Sequence, residues 1–318
     1  MTYKKHLIFL LSLIAVLALV YTASIVFSYD MGSTRSASYV WLDSGTAGRI
    51  NRIVINAELQ EYELVKRNDQ WFVLHPVNGR GFPARRLRIE DFLGVLATRS
   101  PWPVRTTSAN AHERFGLDEN ASRITIYAEG SILLDLLVGY DDATGFETYL
   151  RKADQNEVRS GDNSLKTYIT RPAESWYNLR LVSESESGNV NVSGVQRLSV
   201  FTPSGEQHFT RRNRGWEITG IVVDDPDFNA VENYIRDIIN TEGMNFEEYI
   251  AVSDPIFNHS RIVLEFGNGR VINIRFSESS EADGSRLAHV TGREYIYIIS
   301  GWTAGRLFME AGDFEGNN

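Results

Sequence analysis

The chain repeats itself, and the repeated features keep their order. Arg52-Ile53-Val54-Ile55, then Glu63 through Val73 around Trp71, is matched by Arg197-Leu198-Ser199-Val200, then His208 through Ile218 around Trp216. Arg52 maps onto Arg197 and Trp71 onto Trp216, both at an offset of 145. A stripe of Ile89, Phe92, Leu93 and Leu96 is followed later by Val231, Tyr234, Ile235, Ile238 and Ile239, with Ile89 to Val231 at an offset of 142. Both stripes have the i, i+3, i+4, i+7 spacing of an amphipathic helix. Ser122-Arg123-Ile124-Thr125-Ile126 is matched by Ser260-Arg261-Ile262-Val263-Leu264 at an offset of 138, and Tyr168-Ile169 is paired with Tyr297-Ile298. One shared tryptophan could be chance. Agreement in order along the chain predicts a tandem duplication whose copies differ by small loop deletions.

Alternation sets the strands. Ile53 with Ile55, Ile124 with Ile126, Ile262 with Leu264 and Phe266, and Ile272 with Ile274 and Phe276 each point to one face. Turn residues at Asn68-Asp69, at Asn213-Arg214-Gly215 and at Asn268-Gly269 predict hairpins, the last a type I′ turn. Asp227 is expected to cap the second long helix, with Asp224 and Asp225 favouring its positive end. Each copy therefore reads as three strands, a long helix, three or four more strands and a short terminal helix. The expected fold class is α+β, with mostly antiparallel sheets in two tandem related modules behind an N-terminal transmembrane helix.

That helix is predicted over residues 7–29, which carry no charged side chain. At 1.5 Å per residue the run is about 31–35 Å long, enough for a hydrocarbon core of about 30 Å. Lys4 and Lys5 precede it and Asp30 follows, which orients the N-terminus to the cytoplasm and the rest outside. An uncleaved signal anchor is the adopted reading. The alternative is a cleaved signal peptide ending near Val26-Phe27-Ser28. The expected organisation is a cytoplasmic stub and anchor over 1–29, a tether over 30–47, modules over 48–182 and 195–312, a polar linker over 183–194, and a tail over 313–318. The expected location is a bacterial inner membrane, single-pass, with the bulk of the chain periplasmic and residues 7–29 in contact with the lipid bilayer.

Composition narrows the chemistry. With 32 Lys+Arg against 41 Asp+Glu, the net charge of -9 argues against a nucleic-acid partner. Zero cysteines remove disulfides, thiolate metal sites and cysteine nucleophiles. His75, His112, His208, His259 and His289 lack metal-ligand spacing, and the Asp224-Asp225-Pro226-Asp227 run lacks the Gly and distal Glu of a calcium loop. No nucleophile elbow or phosphate loop is present. No catalytic, metal or cofactor-binding residue is predicted. Two basic clusters stand out, Arg80, Arg85, Arg86 and Arg88, and Arg211, Arg212 and Arg214. They are candidate contacts for an acidic partner or lipid headgroups, or else a solvated face held by local ion pairs.

Arg52-Ile53-Val54-Ile55, Leu64 to Pro76 around Trp71, Phe115-Gly116-Leu117-Asp118, Ser122 to Ile126, Val138-Gly139 and Tyr149-Leu150-Arg151 together resemble the bacterial domain-of-unknown-function family numbered 4340. The resemblance covers about residues 48–182. It is weaker in the second copy, where Val252-Ser253-Asp254-Pro255 replaces the F-G-L-D step and Phe276-Ser277 the V-G step. It implies a single-span exported protein of the kind often encoded beside gliding-motility-type ABC transporter components, and it carries no catalytic residues. The expected function is a non-enzymatic, membrane-anchored extracytoplasmic accessory or scaffold protein working with an ABC-type transport system, with transporter subunits as partners. The alternatives are an extracytoplasmic solute- or lipid-binding protein and, behind it, a carboxylate-dependent envelope hydrolase.

Overall fold

The computed structural model describes residues 38–57, 60–74, 79–182, 191–213 and 215–316, with Val16, Leu17 and Tyr21. Among these no helix is long and apolar enough to cross a membrane. The predicted anchor over 7–29 lies outside the described residues, except that Val16, Leu17 and Tyr21 are helical with exposed side chains. Most of the predicted linker, residues 183–190, lies outside them too, while Asn191 to Gly194 form a turn in which the Asn191 side chain accepts from the Gly194 N–H.

The first half runs β1 (Ser38–Tyr39), β2 (Ile50–Ala57), β3 (Gln60–Arg67), β4 (Gln70–Leu74), β5 (Gly81–Pro83), α1 (Arg86–Ala97), β6 (Ser100–Pro101), β7 (Val104–Thr106), β8 (Ser122–Ala128), β9 (Ser131–Asp141), β10 (Glu147–Lys152), β11 (Val158–Asp162) and α2 (Ser164–Ile169). The second half runs β12 (Val195–Thr202), β13 (Gly205–Arg212), β14 (Gly215–Thr219), α3 (Phe228–Asn240), β15 (Asn245–Glu247), β16 (Ser260–Phe266), β17 (Val271–Phe276), β18 (Arg286–Val290), β19 (Ile296–Ile299) and α4 (Gly301–Leu307). The class is α+β with mostly antiparallel pairing, as the alternation predicts.

One sheet has the order β5-β4-β3-β2-β8-β9-β10-β11-β7 and the other β14-β13-β12-β16-β17-β18-β19-β15. With β5 set aside the two orders coincide strand for strand. In both, the long helix leaves one edge and the next sheet strand, β7 or β15, lies at the opposite edge, so the helix crosses one face. Register agrees as well. A bulge falls between Ile50 and Arg52 where β2 meets β8, and between Val195 and Arg197 where β12 meets β16.

The chain divides into two compact units, one of residues 1–63 and 87–172 and the other of residues 64–86 and 173–318. In the first, Ile53, Ile55, Ile124, Ile126, Leu134, Leu136 and Leu150 share one buried face, and α1 buries the predicted Ile89, Phe92, Leu93 and Leu96. Residues 38–47, expected as tether, are folded. Ser38–Tyr39 pairs with β6, the N–H groups of Trp41 and Leu42 both donate to the Leu96 carbonyl, and both side chains are buried. The indole of Trp41 meets Trp102 edge-on at 5.5 Å, a contact that a polar-tether reading of this segment overlooks.

In the second unit α3 buries Val231, Tyr234, Ile235, Ile238 and Ile239, and Asp227 caps it by accepting from the Asn229 N–H at 2.8 Å, as expected. Tyr234 donates to the Leu307 carbonyl at 2.6 Å, and burial pushes its hydroxyl far above the ordinary phenol value. Residues 313–316, expected as tail, belong to this core. The fully buried Phe314 meets Phe209 at 4.9 Å and Tyr234 at 5.4 Å. One apolar side chain in a polar stretch is too little pattern to read from sequence.

Strand β5 packs in this unit. Phe82 stacks on Phe246 at 4.7 Å with rings 8° from parallel, and Tyr177, Tyr295 and Tyr297 complete the group. Burial raises the Tyr177 hydroxyl far above its usual value. This is why residues 64–86 and 173–182 group with 195–316 rather than with the segment 48–182.

Two local expectations need correction. Asn268-Gly269 is not a type I′ turn. Only Gly269 has positive φ, Gly269 N–H donates to Phe266 and Phe266 N–H to Arg270, which is a three-residue loop ending in a left-handed glycine. The type I′ pair is Asn68-Asp69, where φ is 49° and 62°. Tyr168-Ile169 lies in α2 and Tyr297-Ile298 in β19, so they are not equivalent; a two-residue apolar pair cannot distinguish helix from strand.

Replacing Phe82 by Ala is expected to cost about 3–5 kcal/mol, the range for a fully buried aromatic. Ile132→Ala, at a side chain 56 % exposed, should change stability by less than about 0.5 kcal/mol. Urea midpoints of the two variants check this.

Candidate functional site

Three of the family-like motif segments, Phe115-Gly116-Leu117-Asp118, Val138-Gly139 and Tyr149-Leu150-Arg151, converge on one place in the first unit. The 3₁₀ turn Glu113–Phe115 ends at Gly116 in the left-handed region, φ 66°. That reversal turns Leu117 inward to full burial, while Asp118 accepts from the Asn120 N–H at 2.9 Å and closes the next turn. Phe115 packs on Tyr149 with ring centroids 4.6 Å apart. Gly139 follows the buried Val138, and a Cβ there would fall on the Phe115 carbonyl oxygen and against Leu117. Tyr140 lies over Gly116, so a Cβ at 116 would meet its ring.

Arg151 closes the arrangement. Its guanidinium donates to the carbonyls of Gln155 at 2.8 Å, Ala153 at 3.2 Å, Lys152 at 3.3 Å and Leu117 at 3.3 Å. Among the described residues no carboxylate pairs with it, and burial lowers its affinity for its proton. Backbone oxygens solvate the charge in place of water, and in return one side chain fastens the loop at 117 to the turn at 153–155.

In the second unit the position corresponding to Arg151 by strand register is His289, since Arg151 faces Leu137 and His289 faces Arg275 at a common offset of 138. His289 Nε2 donates to the Arg293 carbonyl at 2.9 Å, four residues on, as Arg151 reaches Gln155 four residues on. Its Nδ1 accepts from Arg275 at 2.9 Å, so the Nε2–H tautomer is the one both partners require. Burial first, then the neighbouring Arg275 and Arg293, hold the imidazole below its ordinary value, against the Arg293 carbonyl which favours the proton. Phe257 covers the ring at 5.7 Å. Ser277 stands where Gly139 would be and is itself buried, accepting from the Leu287 N–H at 2.9 Å.

The two basic clusters are dispersed rather than gathered into one patch. Arg80 donates to the carbonyls of Glu248 at 2.8 Å and Glu294 at 3.1 Å. Arg85 donates to the Tyr177 carbonyl at 2.9 Å and pairs with Glu242 at 2.7 Å, a carboxylate shared with Arg180 at 3.2 Å. Arg86 is exposed at the start of α1, and Arg88 lies 5.2 Å over the Tyr168 ring. Arg211 lies 4.4 Å over Trp216, donates to the Val195 and Val192 carbonyls at 3.0 Å each, and pairs with Glu232 at 3.2 Å. Arg212 pairs with Glu217 on the exposed surface of the β13–β14 hairpin, and Arg214 lies outside the described residues.

An open polar depression of about 550 Å³ lies on the second sheet, lined by Gln196, Arg197, Thr210, Arg212, Glu217 and Glu265 among others. Arg197, Thr210, Glu217 and Glu265 form one row across four strands, on the face opposite the buried Leu198 and Phe209. On the same face Ser199 Oγ is 3.0 Å from His208 Nδ1, and His208 Nε2 is 3.3 Å from Glu206. Sequence reading missed this trio because Ser199 and His208 meet only through strand register. The residue types are those of a nucleophile, base and acid. The serine, however, sits mid-strand at 5 % exposure, where neighbouring N–H groups are committed to the ladders, so no pair of donors faces it to hold an oxyanion. Among the described residues no three His, Asp or Glu side chains are grouped to hold a metal.

An α+β fold with mostly antiparallel sheets, in which motif residues fasten a loop, is thus the class of protein in hand. The chain belongs to the DUF4340 family, a domain of unknown function, whose model matches residues 75–257. That span begins beyond Trp71 and runs into the second half, unlike the 48–182 that the motifs suggest. No curated protein and no solved structure matches the chain.

Gly139→Ala is expected to destabilise by about 1–3 kcal/mol through overpacking against Phe115. Gly94→Ala, on α1 with open space around it, should stabilise by about 0.4–1 kcal/mol. Thermal unfolding of both variants checks the contrast. For His289 the unfolded chain takes up a proton near the ordinary 6.5 while the folded state resists it. Stability should therefore fall as pH drops through about 6.5 and go on falling towards the lower folded value. The pH dependence of the urea midpoint should be shallower for His289→Gln over that window.

Proposed function

We propose that this chain is a non-enzymatic, membrane-anchored extracytoplasmic scaffold or accessory protein of an ABC-type transport system, built from two tandem related α+β modules. The carrying observation is the uncharged run over residues 7–29 between Lys4-Lys5 and Asp30. Its length suits a bilayer, and its flanking charges favour a cytoplasmic N-terminus. Exposed apolar side chains on the helical Val16, Leu17 and Tyr21 are consistent with that solvent.

The duplication is supported by matching bonds as well as matching strands. Arg85 N–H donates to the Trp176 carbonyl and Asp227 N–H to the Phe314 carbonyl, each at 2.8 Å. Asn178 N–H donates to Pro83 and Gly316 N–H to Asp225 in the same relation. The bridges Ala84–Tyr177 and Pro226–Glu315 fall between them. Offsets of 142 and 138 relate every member of these pairs. Motif residues occupied in internal packing, as Gly139 and Arg151 are, favour a scaffold whose surface rather than an enclosed site meets its partner. The ABC-type partner rests on the family resemblance.

Two measurements test the reading. A C-terminal alkaline phosphatase fusion should be active and a C-terminal GFP fusion dark, which requires residues 30–318 outside the cytoplasm. Affinity purification of the full chain from detergent-solubilised membranes should enrich a transporter ATPase and permease over an unrelated single-span control. Equal recovery from both would remove the partnership.

A further inference from the structure

We propose that the end of the first sheet at which the chain joins the fold lies against the surface of an anionic bilayer. The proposal rests on the membrane-anchor reading and adds which surface faces the lipid. Residues 30–37 alone separate the apolar run from Ser38, the first residue of β1. Fully extended, they reach at most about 30 Å. The parts of the fold around Ser38 and Tyr39 are therefore held within that distance of the bilayer.

Charge is distributed unevenly along the strands there. Around β1, Arg99 donates to the Ser38 hydroxyl at 3.4 Å, Arg159 lies 4.0 Å over the Tyr39 ring, and Lys152 lies 5.8 Å from the same ring. Among the described residues neither Arg99 nor Lys152 forms an ion pair. Of the two carboxylates on the adjoining turn, Asp154 is exposed and Glu157 is tied to Arg159 at 2.6 Å. Val104, opposite Arg159 in the β7–β11 pairing, is exposed beside them. Cations, a tyrosine and an exposed apolar side chain are the mixture that suits a lipid headgroup layer.

The other ends of β9, β10 and β11 carry Asp141, Asp142, Glu147 and Asp162, with Lys166 paired to Asp141 at 3.1 Å and Arg105 to Glu147 at 2.7 Å. β10 runs from Glu147 to Lys152, so about 17 Å separates the ends. Asp142 is held below the usual carboxylate range first by the Glu147 N–H, and Glu147 first by the Ser160 hydroxyl and then by Arg105. With four carboxylates there against the two cations Lys166 and Arg105, the far end stays anionic. A negative surface attracts the near end and repels the far one, and each unpaired cation at the surface adds about a fivefold preference.

The absence of native cysteine allows a direct test on the full chain. Asn156→Cys reports the near end and Ala143→Cys the far end, both at exposed turns. Each is labelled with a fluorophore and reconstituted into vesicles of mixed phosphatidylglycerol and phosphatidylcholine containing a nitroxide-headgroup lipid. Quenching at 156 should exceed that at 143 severalfold. The difference should shrink several-fold with Arg99→Gln and Lys152→Gln combined, or in pure phosphatidylcholine. Equal quenching at both positions in a chain that floats with the vesicles overturns this proposal alone. A chain that does not float overturns the anchor reading and this proposal with it.

Discussion

In each half of this protein one helix of 12 or 13 residues has to shield a sheet of eight or nine strands. Such a helix is about 20 Å long, whereas eight strands at about 4.8 Å span nearly twice that. Large aromatic side chains are also buried towards the ends of each half. Trp176 and Phe314, each on a terminal 3₁₀ turn, are completely buried, and Trp71 and Trp216 are buried on the hairpins that begin each sheet. The helix itself can then be short and ordinary, with one stripe inward. Its start is pinned by the N–H to carbonyl bond from residue 85 to Trp176 or from residue 227 to Phe314. Removing the terminal turn would therefore release the helix start.

The loop before β8 shows how a family motif can be spent on architecture. Gly139 has to lack a side chain so that the Phe115 carbonyl can approach, and Gly116 has to reverse the chain so that Leu117 can plug the gap. Arg151 then holds four carbonyls with one delocalised cation, a task for which its fan of donors suits it better than lysine. The second half reaches the same end by other means. A neutral His289 bridges Arg275 and the Arg293 carbonyl, and Arg275 extends towards the Val252 carbonyl at 3.4 Å. The motif letters are absent from the second half, while the strand order there matches that of the first sheet with β5 set aside.

Much of this was legible before any coordinates. The helix stripes, the paired tryptophans, the Asp227 cap and the Asn68-Asp69 turn depend on local periodicity or on one residue's backbone preference, and such signals survive in sequence. What was not legible depends on partners far along the chain. Nothing local marks Trp41 as the neighbour of Trp102, Phe314 as the neighbour of Phe209, or Ser199 as the neighbour of His208. The partners of the basic clusters are hidden from the sequence in a related way. Arg85 and Arg211 are adjacent in sequence to other arginines, but their guanidinium groups are directed to Glu242 and Glu232, which alternation and charge runs cannot reveal.

The ninth strand of the first sheet follows from a difference at one residue. Ala84 donates its N–H to the Trp71 carbonyl at 2.7 Å, which holds β5 at the edge of β4, with Val73 opposite Phe82. At the corresponding place before α3 stands Pro226, which has no N–H to give, and among the described residues no strand lies beyond β14. The consequence reaches past the ladder. Fixing β5 aims Phe82 at Phe246, and around that stack Arg85 and Arg180 converge on Glu242. The same segment that adds a strand to one sheet thereby supplies the central ring of an aromatic core shared with β15 and β19. A donor at residue 84 and its lack at residue 226 thus accompany the difference between a nine-stranded and an eight-stranded sheet.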